Sequence, residues 1–287
     1  MKFLKERWRL LLVGLLLLGN FFVWSVIAHE SRHGVLTVTF LDVGQGDAIF
    51  IDGPSGIQVL IDGGKGKKVL SELGRVLPFY DKSIDVVIAT HPDQDHMEGL
   101  IGAVERYKTL VYLAPDLITD KPFQISLLDK VKDREVRELV AQAGQIINLG
   151  NGATLTILFP NLDVSDWSDT NSASVVALLR YGQTSFLFTG DSPETIESRL
   201  VMELGTGLNV DVLKAGHHGS RTSSSGLFLS AVSPEYAIIS AGRDNSYGHP
   251  HSEVLENLRN VGANVLSTAE VGRVEIKSDG TSLEISN

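Results

Sequence analysis

The chain has no cysteine in 287 residues. That excludes a disulfide framework, a thiolate nucleophile and any zinc site built on sulfur. It also excludes the lipid-bearing cysteine of a bacterial lipoprotein. A metal would have to take nitrogen and oxygen ligands. Positive charge is scarce too: 25 Lys and Arg against 35 Asp and Glu leave a formal net charge of −10. This argues against a generally basic nucleic-acid-binding surface. A phosphodiester substrate stays open, because bound divalent cations add positive charge where it is needed. After residue 35 there is no short-period repeat, no low-complexity segment and no Pro/Gly/Ser linker. The 43% of apolar residues suffice to bury a large core.

Long apolar runs are absent except at the N-terminus. Lys2, Lys5, Arg7 and Arg9 precede an uncharged run from Leu10 to Ala28. Basic residues before such a run place the N-terminus on the cytoplasmic side and the chain beyond the run outside. Two readings stay open: an uncleaved helix that spans the bilayer, or a secretory signal cut after the small-residue site Val26-Ile-Ala28. The sequence thus divides into a segment 1–34, ending in a short linker at His29–Gly34, and a domain 35–287. The domain sits outside the cytoplasm, tethered to the membrane or released.

Within the domain, short β-type runs alternate with helical patterns. Strands are expected at Leu36–Leu41, Ala48–Ile51, Gln58–Ile61, Asp85–Ala89, Thr109–Leu113, Thr154–Phe159, Ser174–Arg180 and Ser185–Thr189. Further strands are expected at Val210–Leu213, Tyr236–Ser240, Asn264–Ser267, Arg273–Lys277 and Ser282–Ile285. Helices are expected at Lys67–Leu77, Glu98–Tyr107, Ile125–Ala143, Glu194–Leu204, Ser225–Val232 and Ser252–Val261. Two β-rich halves, each with helices, predict two sheets with helices outside them.

Histidine is infrequent but concentrated. Six of eight lie in three motifs: His91-Pro-Asp-Gln-Asp-His96, His217-His218-Gly-Ser220 and His249-Pro-His251. The first comes directly after the apolar run Val86-Val-Ile-Ala89. Two imidazoles and two carboxylates at one buried strand end repel or stay solvated unless a cation holds them. Alternate residues His91 and Asp93 can face one cation, and Asp95 and His96 a second. Imidazole with carboxylate suits Zn²⁺ or Mn²⁺. A solvated loop whose Asp and His cap the next helix is the plain alternative for any single residue, but not for four together.

These motifs resemble the signature of the metallo-β-lactamase superfamily, in the variant with Asp at the second ligand position. The rest of the chain resembles one branch of that superfamily, the hydrolase domain of the ComEC/Rec2 competence proteins and their stand-alone relatives. The resemblance covers about residues 35–287. It includes Phe40-Leu-Asp-Val-Gly-Gln-Gly-Asp-Ala48, Leu60-Ile-Asp-Gly-Gly64 and Thr90-His-Pro-Asp-Gln-Asp-His96. It continues through Phe188-Thr-Gly-Asp191, Leu213-Lys-Ala-Gly-His-His-Gly-Ser220 and Tyr247-Gly-His-Pro250.

The resemblance implies an α/β fold, a four-layer αββα sandwich, with a dinuclear site at one edge. It makes His91, Asp93, Asp95, His96 and His217 metal ligands and Asp191 the carboxylate between two ions. Asp95 is also a catalytic carboxylate. His218 is expected behind His217, since adjacent strand residues face opposite ways. Asp62, Asn171, Ser174 and Lys214 are expected around the ligands or against the substrate, with Gln45 and Asp47 similarly placed. His249 is expected to contact phosphoryl oxygens or protonate the leaving group, with Lys214 as a second oxyanion partner. His251, with Ser252, is expected to cap the next helix.

One departure matters. Many superfamily members supply a further histidine before the bridging carboxylate, where this chain has Thr170-Asn-Ser-Ala-Ser174. The site at His91 and Asp93 is correspondingly richer in oxygen. The implied activity is hydrolysis of phosphodiesters by hydroxide activated between two divalent ions, Zn or Mn, with a nucleic-acid strand, single-stranded DNA foremost, as substrate. The outward location also admits phosphorylcholine or teichoic-acid phosphodiesters. A third reading, a non-catalytic module of a DNA-uptake complex, fits the complete ligand set less well. ComEC proteins join such a domain to a multi-helix channel and an accessory β-domain, so the hydrolase domain alone does not imply a part in uptake.

Overall fold

The computed structural model describes residues 2–30 and 34–287, with the side chains of the first segment described over 7–24. Among these residues fifteen strands and eight α-helices are formed. The first sheet takes β1 (Leu36–Phe40), β2 (Ile49–Asp52), β3 (Gln58–Ile61), β4 (Ser83–Ile88), β5 (Lys108–Ala114) and β6 (Arg137–Val140). The second takes β7 (Ile146–Gly150), β8 (Ala153–Phe159), β9 (Val176–Tyr181), β10 (Thr184–Phe188), β11 (Val212–Lys214), β12 (Tyr236–Ile239) and β13 (Asn264–Ser267). The last two strands, β14 (Val274–Ser278) and β15 (Leu283–Ser286), return to the first sheet. The orders are β15-β14-β1-β2-β3-β4-β5-β6 and β13-β12-β11-β10-β9-β8-β7.

The helices are α1 (Lys2–Glu30), α2 (Lys68–Val76), α3 (Gln94–Arg106), α4 (Pro122–Asp133), α5 (Glu194–Leu204), α6 (Gly226–Val232), α7 (Ser252–Asn260) and α8 (Thr268–Val271). Three apolar cores separate four layers. Strand alternation explains them, since successive side chains point to opposite faces. Leu36, Val38 and Phe40 of β1 meet Phe186 and Phe188 of β10 between the sheets. Leu60 of β3 and Val87 of β4 point the other way, onto Val69 of α2 and Leu100 of α3. Leu187 of β10 likewise packs outward with Leu200 of α5 and Phe228 of α6. Each such buried side chain contributes about 1.5–3 kcal/mol. The αββα sandwich expected from the motifs is the observed fold.

Most strands fall within one or two residues of expectation. The stretch 125–143 does not. It forms α4 and then edge strand β6, because Glu135 takes a left-handed conformation (φ 54°) that ends the helix. All four β6 residues are exposed, and Arg137 and Glu138 put charge on this short edge strand. Strand β7 and the short α8 were not expected. The linker expected at His29–Gly34 is shortened, since α1 runs on through Glu30; residues 31–33 lie outside the described residues. Within α1, Arg7–Trp24 is long and apolar enough to cross a membrane by length and composition.

Strands β3 to β6 run parallel, as do β10 to β13. Their C-terminal ends share one edge, and the turns there carry all three histidine motifs.

Candidate metal centre

Each site residue leaves a strand end. Asp62 comes directly after β3, and His91 lies three residues beyond β4. Asp191 lies just past β10, His217 and His218 just past β11, and Ser240 just past β12. Asp93 sits at the N-cap of α3, with Asp95 and His96 in its first turn. The Gly44-Gln-Gly-Asp47 turn lies flat on this segment. Asp47 N donates to the Asp95 carbonyl (3.2 Å). A Cβ on Gly46, which has φ +116°, would stand 1.9 Å from that same oxygen. Only glycine permits the approach.

The imidazoles are arranged alike. His96 Nδ1 donates to Asp62 Oδ2 (2.8 Å), and His218 Nδ1 donates to the Ser240 carbonyl (2.9 Å). Thr90 Oγ1 gives its proton to Asp62 (2.7 Å) and so accepts from His91 Nδ1 (3.0 Å). His217 Nδ1 meets Thr222 Oγ1 at 3.0 Å. Held at Nδ1, all four rings turn Nε2 toward Asp191. Its Oδ2 lies 3.3 Å from His96 Nε2, 3.3 Å from His218 Nε2, 3.5 Å from His217 Nε2 and 3.9 Å from His91 Nε2. Outer hydrogen bonds that fix the tautomer and free the inner nitrogen are the support metal-ligating histidines use.

Spacing tests the fit further. His96 Nε2 and His218 Nε2 are 3.1 Å apart, and Asp95 Oδ2 lies 3.5 Å from His218 Nε2. Donors about 2.0–2.1 Å from one tetrahedral ion stand roughly 3.3–3.4 Å apart. His96, His218 and Asp191 meet that spacing with one another, and Asp95 meets it with His218. A second group is wider: His91 Nε2 lies 3.7 Å from Asp93 Oδ2 and 3.9 Å from Asp191 Oδ2. His91 Nε2 and Asp191 Oδ1 are buried without hydrogen-bond partners among the described residues. Such atoms are costly unless something else satisfies them.

Asp47, His96, Asp191 and His218 also place donor atoms within 4.8 Å of one another, a candidate cation cluster of buried side chains. Asp47, however, faces the outer nitrogens. Its Oδ1 is 3.3 Å from His218 Nδ1 and its Oδ2 3.9 Å from His96 Nδ1. It is also ion-paired to Lys214 Nζ. It therefore orients imidazoles from outside, whereas Asp95 faces the inner nitrogen of His218.

Burial and the carboxylates set the electrostatics. Burial opposes charge on His96, but Asp191 and Asp62 outweigh it and raise its pKa well above the ordinary value. For His218, Asp191 and Asp47 do the same. Burial alone would raise Asp191 and Asp95, yet the neighbouring His218 and His96 hold both far below the usual range. Asp47 is held at about 2 by Lys214 and His218 against its burial. His91 goes the other way, to about 4, through burial and the nearby His96. The pocket therefore favours positive charge at its centre and keeps His91 neutral with a free lone pair.

Several expectations need correction. His217 and His218 do not lie in an extended strand. Gly216–Gly219 is a tight 3₁₀ turn with both histidines left-handed (φ 47° and 55°). That costly conformation turns both rings toward Asp191, so His218 does not sit behind His217. Lys214 is fully buried against Asp47 and cannot reach a substrate oxygen. His251 occupies the N-cap of α7 without a side-chain capping bond. Its Nδ1 instead accepts from Arg221 N (3.3 Å), tying α7 to the His217-His218 turn.

Ser174 Oγ accepts from Asp191 N (3.2 Å) and so steadies the carboxylate's backbone. Asn171 begins a short 3₁₀ turn beside Thr170, with its Oδ1 buried and unpaired among the described residues. His249 stands at the rim, its ring centroid 5.6 Å from His217 and 6.4 Å from His218. Lys121 and Thr170, not expected from sequence, hold Asp93 Oδ1, Thr170 at 2.8 Å. They leave Oδ2 to face His91. Nothing near Lys121 in the sequence announces this, whereas Thr90 stands within the first motif.

A sandwich with this cluster at its strand ends defines a metal-dependent hydrolase, and the chain belongs to the metallo-β-lactamase superfamily, whose family model matches residues 41–243. It is similar to ComE operon protein 3 of Bacillus subtilis, 30% identical over 89% of this chain and 34% of that protein. It is also similar to Recombination protein 2 of Haemophilus influenzae, 33% identical over 86% of this chain and 29% of that protein. The chain thus spans about a third of the length of the curated relatives it matches. In fold it is similar to the metallo-β-lactamase fold protein YhfI from Bacillus subtilis, with TM-score 0.54, 12% identity and coverage of 88% and 100% of the two chains. It is likewise similar to CmlA, a diiron β-hydroxylase from Streptomyces venezuelae, with TM-score 0.55, 16% identity and coverage of 85% and 54%.

Proposed function

We propose that the chain is a phosphodiesterase of nucleic-acid strands, single-stranded DNA foremost, working outside the cytoplasmic membrane with two divalent ions. The observation that carries the metal part is the ring of four imidazoles, each held at Nδ1 and turned by Nε2 toward Asp191. Asp95, His96, Asp191 and His218 would hold one ion. His91, Asp93 and Asp191 would hold the other, with His217 reaching Asp191 from the partly exposed side. The donor set, imidazole and carboxylate only, suits Zn²⁺ or Mn²⁺. Bound there, divalent ions supply an activated water nucleophile at neutral pH and offset charge on the phosphodiester.

The chain's own residues do the rest. Thr90, Asp62 and Ser240 keep the ring tautomers. Lys121 and Thr170 aim Asp93. The competence and recombination relatives support a DNA strand as substrate. The expected result is close to two ions per chain by elemental analysis of the full-length protein prepared with Mn²⁺ or Zn²⁺, and cleavage of single-stranded DNA ahead of choline phosphodiesters. No metal above background in both preparations would sink the dinuclear reading. Choline diester cleavage without DNA cleavage would replace the substrate class.

Residues 1–34 serve in this reading as a membrane anchor that leaves 35–287 outside. The basic N-terminus and the apolar helix support that orientation. A C-terminal alkaline phosphatase fusion is expected to be active and a fluorescent cytoplasmic reporter dark. The reverse pattern would place the domain inside the cell.

A further inference from the structure

Strands β1, β3 and β4 point the same way, since β1 and β3 are both antiparallel to β2 and β3 is parallel to β4. Their C-terminal ends carry the candidate metal centre, so their N-terminal ends form the opposite edge of the sandwich. The anchor enters at that opposite edge. Only residues 31–35 separate the end of α1 at Glu30 from the start of β1 at Leu36. Five intervening residues reach at most about 20 Å even when fully extended. That edge is therefore kept close to whatever surface the anchor leaves.

The same edge carries an unusual loop. Pro78-Phe79-Tyr80 joins α2 to the start of β4, with Phe79 75% and Tyr80 41% exposed. Phe79 meets Phe22 of the anchor, ring centroids 6.4 Å apart. Phe22 lies two residues before Trp24, the end of the apolar span. Beside the loop, Lys82 and Lys108 are exposed at the starts of β4 and β5, and Arg106 at the end of α3. Lys108 N bonds the Lys82 carbonyl (2.7 Å), which joins these basic residues across the two strands. The acidic neighbours are already engaged, Asp81 by Gln58 and Ser83 and Glu105 by Lys130; exposed aromatic side chains with basic ones nearby suit the interface of an anionic bilayer.

We propose that the Pro78-Phe79-Tyr80 loop is a membrane foot: Phe79 and Tyr80 enter the lipid headgroup region and Lys82, Arg106 and Lys108 rest on anionic headgroups. Together with the anchor, the foot gives the domain two points of attachment. It stands the sandwich upright, with the metal edge away from the membrane by at least a strand's length, roughly 17 Å. A substrate strand can then reach the site from the aqueous side without passing between protein and lipid.

The proposal rests on the anchor reading, and the test separates the two. The chain has no cysteine, so single labels are clean. Leu16→Cys in the apolar helix, Phe79→Cys in the foot and Tyr247→Cys at the metal edge are each labelled with a bimane fluorophore. The full-length protein is reconstituted in phosphatidylethanolamine–phosphatidylglycerol vesicles containing a lipid-borne spin-label quencher. Phe79 and Tyr247 are 75% and 64% exposed, so neither change disturbs a core. The label at 79 is expected to be quenched at least about threefold more than that at 247, as an interfacial residue should be. Quenching at 16 with none at 79 would overturn the foot and keep the anchor, and a label at 79 shielded by protein but untouched by lipid quencher would do the same. Stronger quenching at 247 than at 79 would mean an inverted domain and overturn the proposal. No quenching at 16 would remove the anchor, and the foot with it.

Discussion

Asp191→Ala is expected to strip the purified protein of both ions and to lower hydrolysis by ~10³-fold or more. Asp191 is the one side chain that all four inner imidazole nitrogens approach, at 3.3 to 3.9 Å. No other carboxylate among the described residues serves both halves of the site. Asp93 faces only His91 among the histidines and is held from outside by Lys121 and Thr170. Asp95 faces only His218. Alanine removes a carboxylate that His218 and His96 keep ionised against its burial, and with it the attraction that would join two like-charged ions.

Asp191→Asn keeps the shape and the backbone N–H bond to Ser174 Oγ but not the charge. It is expected to lose metal nearly as fully as alanine does. Elemental analysis and a nuclease assay on the same preparations check both variants. Two ions per chain retained in Asp191→Asn would show that geometry and not the bridging charge holds them, and the dinuclear assignment would fall.

Much of the architecture was legible because local signals agreed. Alternation in Leu36–Phe40 and the apolar run within Ser185–Thr189 marked strands with a buried face, and the helical patterns at Glu194–Leu204 and Ser252–Val261 gave α5 and α7 almost to the residue. The misread stretch 125–143 shows the limit. Its charged composition favours helix throughout, and only the turn at Glu135 and pairing of Arg137–Val140 with β5 make its second part a strand. That pairing is tertiary, and no local pattern carries it.

The site shows the same division. Which residues gather was visible in three motifs, since few other reasons place imidazoles and carboxylates at strand ends. Which way each ring points was not. The order of His217 and His218 depends on two left-handed backbone conformations. The place of Lys214 depends on Asp47, far away in sequence, drawing it under the cluster. Asp47 itself was visible only as part of a glycine-rich turn. Its task of steadying His218 and His96 from behind depends on Gly46 lying against Asp95.

His249→Ala is expected to keep both ions and to lose ~10²–10⁴-fold in turnover. The ring sits at the rim of the cluster, beside His217 and His218, and none of its atoms pairs with Asp191 among the described contacts. The backbone around it is fixed from both sides by Asn245, whose Oδ1 accepts from His249 N (2.9 Å) and whose Nδ2 donates to the His249 carbonyl (2.6 Å). Substitution of the side chain leaves these bonds in place. Sequence alone left two tasks open for His249, proton donor to the leaving group or partner of the phosphoryl oxygens. The electrostatics favour the second. Partial burial first, and then the neighbouring His218, His217 and His251, lower its pKa to about 4. At neutral pH the ring is uncharged and gives a hydrogen bond rather than a proton. His249→Gln, which keeps an N–H donor, is then expected to recover about tenfold over alanine, with the acid limb of the pH–rate profile unmoved. Metal loss in His249→Ala equal to that of Asp191→Ala would make His249 a ligand. No recovery in glutamine, with loss of the basic limb of the profile, would restore the proton-donor role.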